Sequence, residues 1–191
     1  PYALYLADQT LLFVSAANRP AVGDTIRGST VAALWGGIAI THKSTSASTS
    51  PGWNDVDEED EPLYPYRHIV FDESFSTVRP TGLSNWFSTY LEGGPKSLEG
   101  LRYLNTSEVT TMFGMFWDCA SLTEIDVSHF DTRQVKSMAY MFSGCNSLQS
   151  LDLSGFDTGK LVNVNRMFDN CFSLETILCD DTWSIRASSN M

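Results

Sequence analysis

Hydrophobic positions in the second half of the chain recur with a period of 26 residues. Four residue types keep this spacing through three units: Phe116, Phe142 and Phe168; Cys119, Cys145 and Cys171; Leu122, Leu148 and Leu174; Thr106, Thr132 and Thr158. A fixed period between about 20 and 50 residues is typical of proteins built from stacked repeat units. The pattern therefore predicts that residues one period apart lie side by side.

Two hydrophobic periodicities alternate within each unit. Val135, Met138 and Phe142 share the spacing of one helical stripe. Leu148, Leu151 and Leu153 form Leu-x-x-Leu-x-Leu, whose last two positions alternate as in a strand. The predicted helices cover about 107–116, 133–142 and 159–168, and the predicted parallel strands about 124–127, 150–153 and 176–179. One strand and one helix per unit is an α/β leucine-rich-repeat solenoid.

Polar residues stand where each predicted helix begins and ends. The starts carry good N-cap residues, Asn105, Asp131 and Asp157. The residue before each cysteine tolerates the left-handed conformation that ends a helix: Asp118, Gly144 and Asn170. Phe130 and Phe156 are expected to close the corner between strand and helix, with Trp183 in the same place one unit later.

The first part of the chain has a different pattern. Two apolar runs surround residues 7–9 and predict a β-hairpin, and the stretch 29–43 predicts a further strand region. We expect residues 1–66 to form a β-rich cap over the apolar end of a solenoid that spans 67–191, with atypical first and last units. Residues 44–62 are rich in Ser and Thr and then acidic, which predicts an exposed loop.

Charge and composition restrict the partners. Hydrophobic residues make up 42% of the chain, and the net charge is −11. Nucleic acids and anionic membranes need clustered basic residues, so neither is an expected partner. No apolar run approaches the roughly 18 residues of a membrane span.

The four cysteines favour buried free thiols. Stacked side chains at equivalent positions point in parallel, and three members cannot all pair, so disulfides are the less favoured reading. Cys179 falls in the strand slot of Val127 and Leu153 and is expected to be a small buried hydrophobe. Zinc is disfavoured because the chain has no Cys-x-x-Cys pair. We expect no metal and no cofactor.

Outward-facing strand positions form the candidate binding surface. These polar and acidic positions are Glu124, Asp126, Ser128, Ser150, Asp152, Ser154, Thr176 and Asp180. Repeat proteins commonly bind partners on such a face. The chain lacks the Gly-x-Ser-x-Gly nucleophile motif and a phosphate-binding glycine loop. An enzyme is therefore not expected.

The repeat unit MFxxCxxLxxLDLSxFDTxxVxxMxxMF closely resembles the BspA-like leucine-rich-repeat surface proteins of bacteria, which are related to repeats in mycoplasma surface lipoproteins. The likeness covers about 70–191, with Trp86-Phe87 in the place of Met-Phe. It implies a secreted or surface-anchored bacterial protein with an adhesive or binding role and no catalytic residues. After Cys179 the pattern drifts, and Met191 stands where another unit is expected to begin.

Three functions follow from these observations. The first is an extracellular module that binds a host or neighbouring-cell protein. The second is a structural spacer within a longer surface protein. The third is a carbohydrate-binding or calcium-dependent adhesin.

Overall fold

The computed structural model describes residues 1–36, 65–89, 94–181 and 183–184. The predicted loop at 44–62 and the chain's last seven residues lie outside this part. Eight strands and two 3-10 helices are described: β1 (Tyr2–Leu6), β2 (Thr10–Val14), β3 (Thr25–Ile26), β4 (Ser29–Gly36), β5 (His68–Phe71), β6 (Ser97–Glu99), β7 (Ser150–Asp152), β8 (Thr176–Leu178), Glu73–Thr77 and Leu101–Tyr103.

Six strands form one mixed sheet in the order β3-β4-β1-β2-β5-β6. β1 and β2 form the predicted hairpin, since Gln9 takes a φ of 65° and the Thr10 amide donates to the Asp8 carboxylate at 3.1 Å. β4 pairs antiparallel with β1, whereas β5 and β6 continue from β2 in parallel. The sheet therefore runs past residue 66, and the proposed division of the chain there stays a prediction.

Both faces of this sheet are buried. One face carries Ala3, Leu11 and Phe13 into a core that continues through the repeat units as far as Met167. The other face carries a smaller cluster of Leu4, Leu6, Leu12, Val31 and Val70. At the start of the large core, the Phe13 ring stacks on Phe71 and Trp86, with centroids 4.6 and 5.4 Å apart. Alternate side chains of one strand point to opposite faces, which is how the same strands supply both clusters.

The predicted α/β leucine-rich-repeat solenoid is wrong. The described residues contain no α-helix, and their regular secondary structure is mostly β, built on the six-stranded sheet. The segments 107–116, 133–142 and 159–168 are successive turns instead of helices. Each stretch contains one residue with positive φ, Gly114, Tyr140 or Arg166, which breaks any helix. A second residue with positive φ follows two positions after the end of each stretch: Asp118, Gly144 and Asn170.

Backbone bonds between units replace the helical bonds. The amides of Met112, Gly114, Phe116 and Asp118 donate to carbonyls of the next unit at 2.8–2.9 Å. The amides between them close short turns, as when Met115 donates to the Met112 carbonyl at 3.2 Å. A spacing of three apolar residues thus arises from consecutive turns as well as from a helix. The left-handed conformations expected at Asp118, Gly144 and Asn170 are present, although no helix precedes them.

The repeated phenylalanines and cysteines lie side by side across units. The Phe142 ring stacks between Phe116 and Phe168, with centroids 5.6 and 6.1 Å apart. Each cysteine thiol donates to a phenylalanine carbonyl of the preceding unit: Cys119 to Phe87 at 3.2 Å, Cys145 to Phe116 at 3.3 Å and Cys171 to Phe142 at 3.0 Å. Burial raises the pKa of the Cys119 and Cys145 thiols.

Cys179 departs from its predicted role. All four cysteines are free, but only Cys119 and Cys145 are buried, while Cys171 is half-buried and Cys179 is exposed. Its neighbours Ile177 and Leu178 are also exposed, by 41% and 54%. Within the described residues, β8 has a partner on the β7 side only, so this unit lacks the second neighbour that buries the others.

A threonine series and a ring series complete the contacts between units. The Thr106 hydroxyl donates to the Asp131 carbonyl at 3.2 Å, and Thr132 donates to the Asp157 carbonyl at 3.0 Å. Phe130, Phe156 and Trp183 stack at the predicted corner, with successive centroids 6.5 and 6.4 Å apart. The period of 26 is therefore expressed as side-chain ladders more than as regular secondary structure.

Candidate functional site

A cleft of about 550 Å³ opens on the predicted binding surface. It lies between β6, the segment 124–128 and β7. Its lining residues are Leu98, Gly100, Leu101, Arg102, Glu124, Ile125, Asp126, Val127, Ser128, Ser150 and Asp152. Five of the eight residues nominated from sequence belong to this set. Ser154, Thr176 and Asp180 are exposed outside it.

Two repeated Asp-x-Ser turns position the carboxylates. Asp126 accepts from the Ser128 hydroxyl at 2.7 Å and from its amide at 3.0 Å. Asp152 accepts from the Ser154 hydroxyl at 2.6 Å and from its amide at 2.9 Å. These serine bonds lower the pKa of both carboxyls, so both are ionised at neutral pH. Leu178 takes the equivalent place one unit later, and the acidic row ends there.

Arg102 forms a basic rim on one side of the cleft. Gly100 turns the chain out of β6 with a φ of 68°, and the short 3-10 helix Leu101–Tyr103 follows. The Arg102 guanidinium lies 4.6 Å from the Tyr103 ring centroid and donates to the Tyr103 hydroxyl at 3.0 Å. These residues were missed from sequence because they lie outside the repeat register, although Gly100 after an apolar strand is a turn signal.

The predicted strand at 124–127 does not form. Glu124, Ile125 and Asp126 make no backbone–backbone hydrogen bond within the described part of the chain. The adjacent β6 ends at Glu99 and turns only Leu98 toward this segment, because the Ser97 amide donates the other way, to the Arg67 carbonyl at 3.4 Å. One outward-facing residue is too short an edge for a parallel ladder.

β7 forms the opposite wall of the cleft and also presents unpaired backbone groups. Gln149 accepts from the Thr176 amide at 3.3 Å, and the Leu153 amide donates to Leu178 at 2.8 Å. Because backbone direction alternates along a strand, Ser150 and Asp152 point their backbone groups away from β8. The cleft thus has backbone groups open to pairing on both walls.

His129 follows the segment 124–128 and is half-buried. Burial lowers the pKa of its imidazole, so the ring is neutral at pH 7. It packs edge-on against the Phe130 ring, 4.9 Å between centroids. His68 has a polar partner that the sequence did not reveal, since its Nδ1 lies 2.9 Å from the Ser97 hydroxyl. Across the described residues, no group of three His, Cys, Asp or Glu side chains is placed to hold a metal ion.

These features describe a class of protein: a repeat protein whose units continue the core of a mixed β-sheet and carry an acidic cleft. The chain belongs to the family DUF285, described as a Mycoplasma protein of unknown function, whose profile matches residues 81–191. A search of curated proteins and a search of solved structures each returned no match. Within the described residues, no helix has the length and apolar character needed to cross a membrane.

Proposed function

We propose that this chain is a protein-binding module of a bacterial surface protein of the BspA-like kind, and that it binds basic segments of its partner in the acidic cleft. The observation that carries the proposal is the placing of Glu124, Asp126 and Asp152 around one concave surface. Only one lining residue, Arg102, is basic. Membership of a Mycoplasma family supports the bacterial origin.

The serine turns support a binding role for the carboxylates. Ser128 donates to Oδ1 of Asp126 and Ser154 donates to Oδ1 of Asp152, and both aspartate side chains are exposed. A fixed carboxylate loses less conformational freedom on binding than a free one. Attraction between exposed charges is screened by salt, so affinity should fall as ionic strength rises.

The test compares two variants that remove the same charge. Glu124→Gln/Asp126→Asn/Asp152→Asn neutralises the cleft, and its asparagine oxygens can still accept the serine bonds. Glu175→Gln/Asp180→Asn/Asp181→Asn neutralises three exposed carboxylates outside the cleft. Fluorescence anisotropy with a labelled nine-residue peptide that alternates Val and Lys should show at least tenfold weaker binding for the first variant and less than threefold for the second.

Equal losses in the two variants would mean that net charge, not the cleft, attracts the peptide. No binding by the unaltered chain would reject the proposed binding function outright. The surface location is tested separately, by protease treatment of intact cells that express the chain. A chain degraded only after lysis would contradict it.

A further inference from the structure

Around the segment 124–126, the cleft offers a partner backbone hydrogen bonds as well as charge. Extended peptides can add to a sheet where strand edges leave N–H and C=O groups unpaired. Here Leu98 offers a single residue on one wall, so the edge available for pairing among the described residues is that of β7, where Ser150 and Asp152 point their backbone groups away from β8. We infer that the partner segment binds in the cleft as an added β-strand, an inference that rests on the proposed function above.

The side chains around the cleft determine the sequence pattern of such a strand. Alternate residues of an extended peptide point to opposite sides. The carboxylates of Glu124, Asp126 and Asp152 are exposed to solvent, whereas the apolar lining residues pack in or against the core: Leu98, Leu101, Ile125 and Val127. The fitting segment therefore alternates basic residues with β-branched or other apolar residues. Arg102 is the one basic lining residue against three carboxylates, so the lining as a whole repels an acidic segment.

Backbone pairing has a consequence that charge attraction lacks. In an added strand, the amides of every second residue point at the protein, and the amides between them point away. Methylation of the inward-pointing amides removes hydrogen bonds and adds a clash. Methylation of the outward-pointing amides changes neither contact, and both sets keep the same charge and length.

The experiment uses the alternating Val and Lys peptide in three forms. One form is unmodified, one is N-methylated at all four Lys residues, and one is N-methylated at four of the five Val residues. The unaltered chain should bind one methylated form at least tenfold more weakly than the unmodified peptide, and the other within threefold. Amide hydrogen exchange at Ser150 and Asp152 should slow when the unmodified peptide is bound.

Each other result overturns the inference. Equal binding of the two methylated peptides, whether both are weak or both strong, would show that backbone direction does not matter. Slowed exchange elsewhere but not in the cleft would place the peptide on another surface. The two methylated peptides could bind equally while the variant with the neutralised cleft still binds the unmodified peptide more weakly. That result would reject the added strand but leave the proposed function standing. Concentration-dependent sedimentation of the chain alone would instead identify a second copy as the occupant.

Discussion

Two regions hold neighbouring segments of the chain together with different bonds. They are the sheet region, residues 1–36 with β5 and β6, and the repeat region, residues 101–184. In the sheet region, continuous ladders between neighbouring strands satisfy the backbone, and side chains are free to fill two cores. In the repeat region, only β7 and β8 are strands, and equivalent residues of successive units contact one another directly. There a single side chain serves two interfaces.

The buried polar groups show this contrast. The thiols of Cys119 and Cys145, and the hydroxyls of Thr106 and Thr132, each bond to a carbonyl of a neighbouring unit. The hydroxyls satisfy carbonyls that a regular strand or helix would pair with amides, whereas the Phe116 carbonyl accepts the Cys119 amide as well as the Cys145 thiol. Because these contacts recur in every unit, damage to one position should disturb both neighbours. Substitutions in the repeat region therefore test whether the ladders carry its stability.

The largest effect is expected for Phe142→Ala. Phe142 is fully buried and stacks on Phe116 and Phe168, so its loss leaves a cavity shared by three units. Urea unfolding should show a loss of roughly 3–5 kcal/mol in the free energy of unfolding. Phe172→Ala is the matched control, because Phe172 is 80% exposed in the same region and should change stability by less than about 0.5 kcal/mol. Similar losses for both would contradict the stacked ladder.

Gly144→Ala should have the next largest effect. Gly144 has a φ of 75°, and an added Cβ would collide with the Asp118 carboxylate and lie 3.1 Å from the Asp118 Cα. Left-handed strain and the clash together should cost roughly 2–4 kcal/mol. In the sheet region, Gly28→Ala shares the positive φ but meets open space, so it should cost only about 1–2 kcal/mol. Thermal or urea unfolding of both variants isolates the contact between units.

A dependence on pH should arise from the repeat region, since the sheet region contains no cysteine. Burial raises the folded-state pKa of Cys119 and Cys145, so the unfolded chain releases these protons first. Their contribution is complete below about pH 8.5 and falls above it, by roughly 1.4 kcal/mol for each thiol at pH 9.5. Urea unfolding at pH 7.5 and 9.5 measures this loss. Cys119→Ala/Cys145→Ala should remove most of it, and an unchanged pH dependence in that variant would assign the loss to other groups.

The sequence predicted the positions in the repeat region better than their backbone conformation. Phe116 and Phe142 lie one period apart and do stack, and Asp118 and Gly144 are left-handed as expected. The helices failed because apolar residues three apart also fit consecutive short turns, as the Met112–Met115 bond shows. Periodicity alone does not separate a helix from stacked turns, because the two differ in where their amides bond.

The cleft could be predicted only in part, because two kinds of segment build it. Asp126 and Asp152 recur with the period, so the repeat pattern placed them on one face. Leu98 and Arg102 come from outside the register, and their proximity depends on the turn at Gly100. The sequence of the segment 124–127, Glu-Ile-Asp-Val, has an ordinary strand pattern, so the missing ladder could not be predicted from it.

The smallest effect concerns Tyr140. This residue is half-buried, its ring lies 5.5 and 5.6 Å from those of Phe113 and Trp117, and its φ is 58°. Tyr140→Ala and Tyr140→Gly both lose the ring contacts, but only glycine adopts this φ without strain. After allowance for the greater freedom of glycine in the unfolded chain, the Gly variant should be more stable than the Ala variant by roughly 0.5–1 kcal/mol.

Gln9 in the hairpin turn of the sheet region supplies the matched pair. It is exposed, and its φ of 65° is nearly the same. Gln9→Gly should therefore exceed Gln9→Ala in stability by a similar amount, as measured by urea unfolding of all four variants. The Gly variant could be more stable than the Ala variant at Gln9 but less stable at Tyr140. In that case the neighbouring units do not hold residue 140 in the left-handed conformation once its ring is gone. Gly114, one unit earlier, adopts the same conformation with no side chain at all. The reversal would therefore distinguish the two units, because at residue 140 the Tyr140 ring, and not the repeat backbone, would maintain the turn.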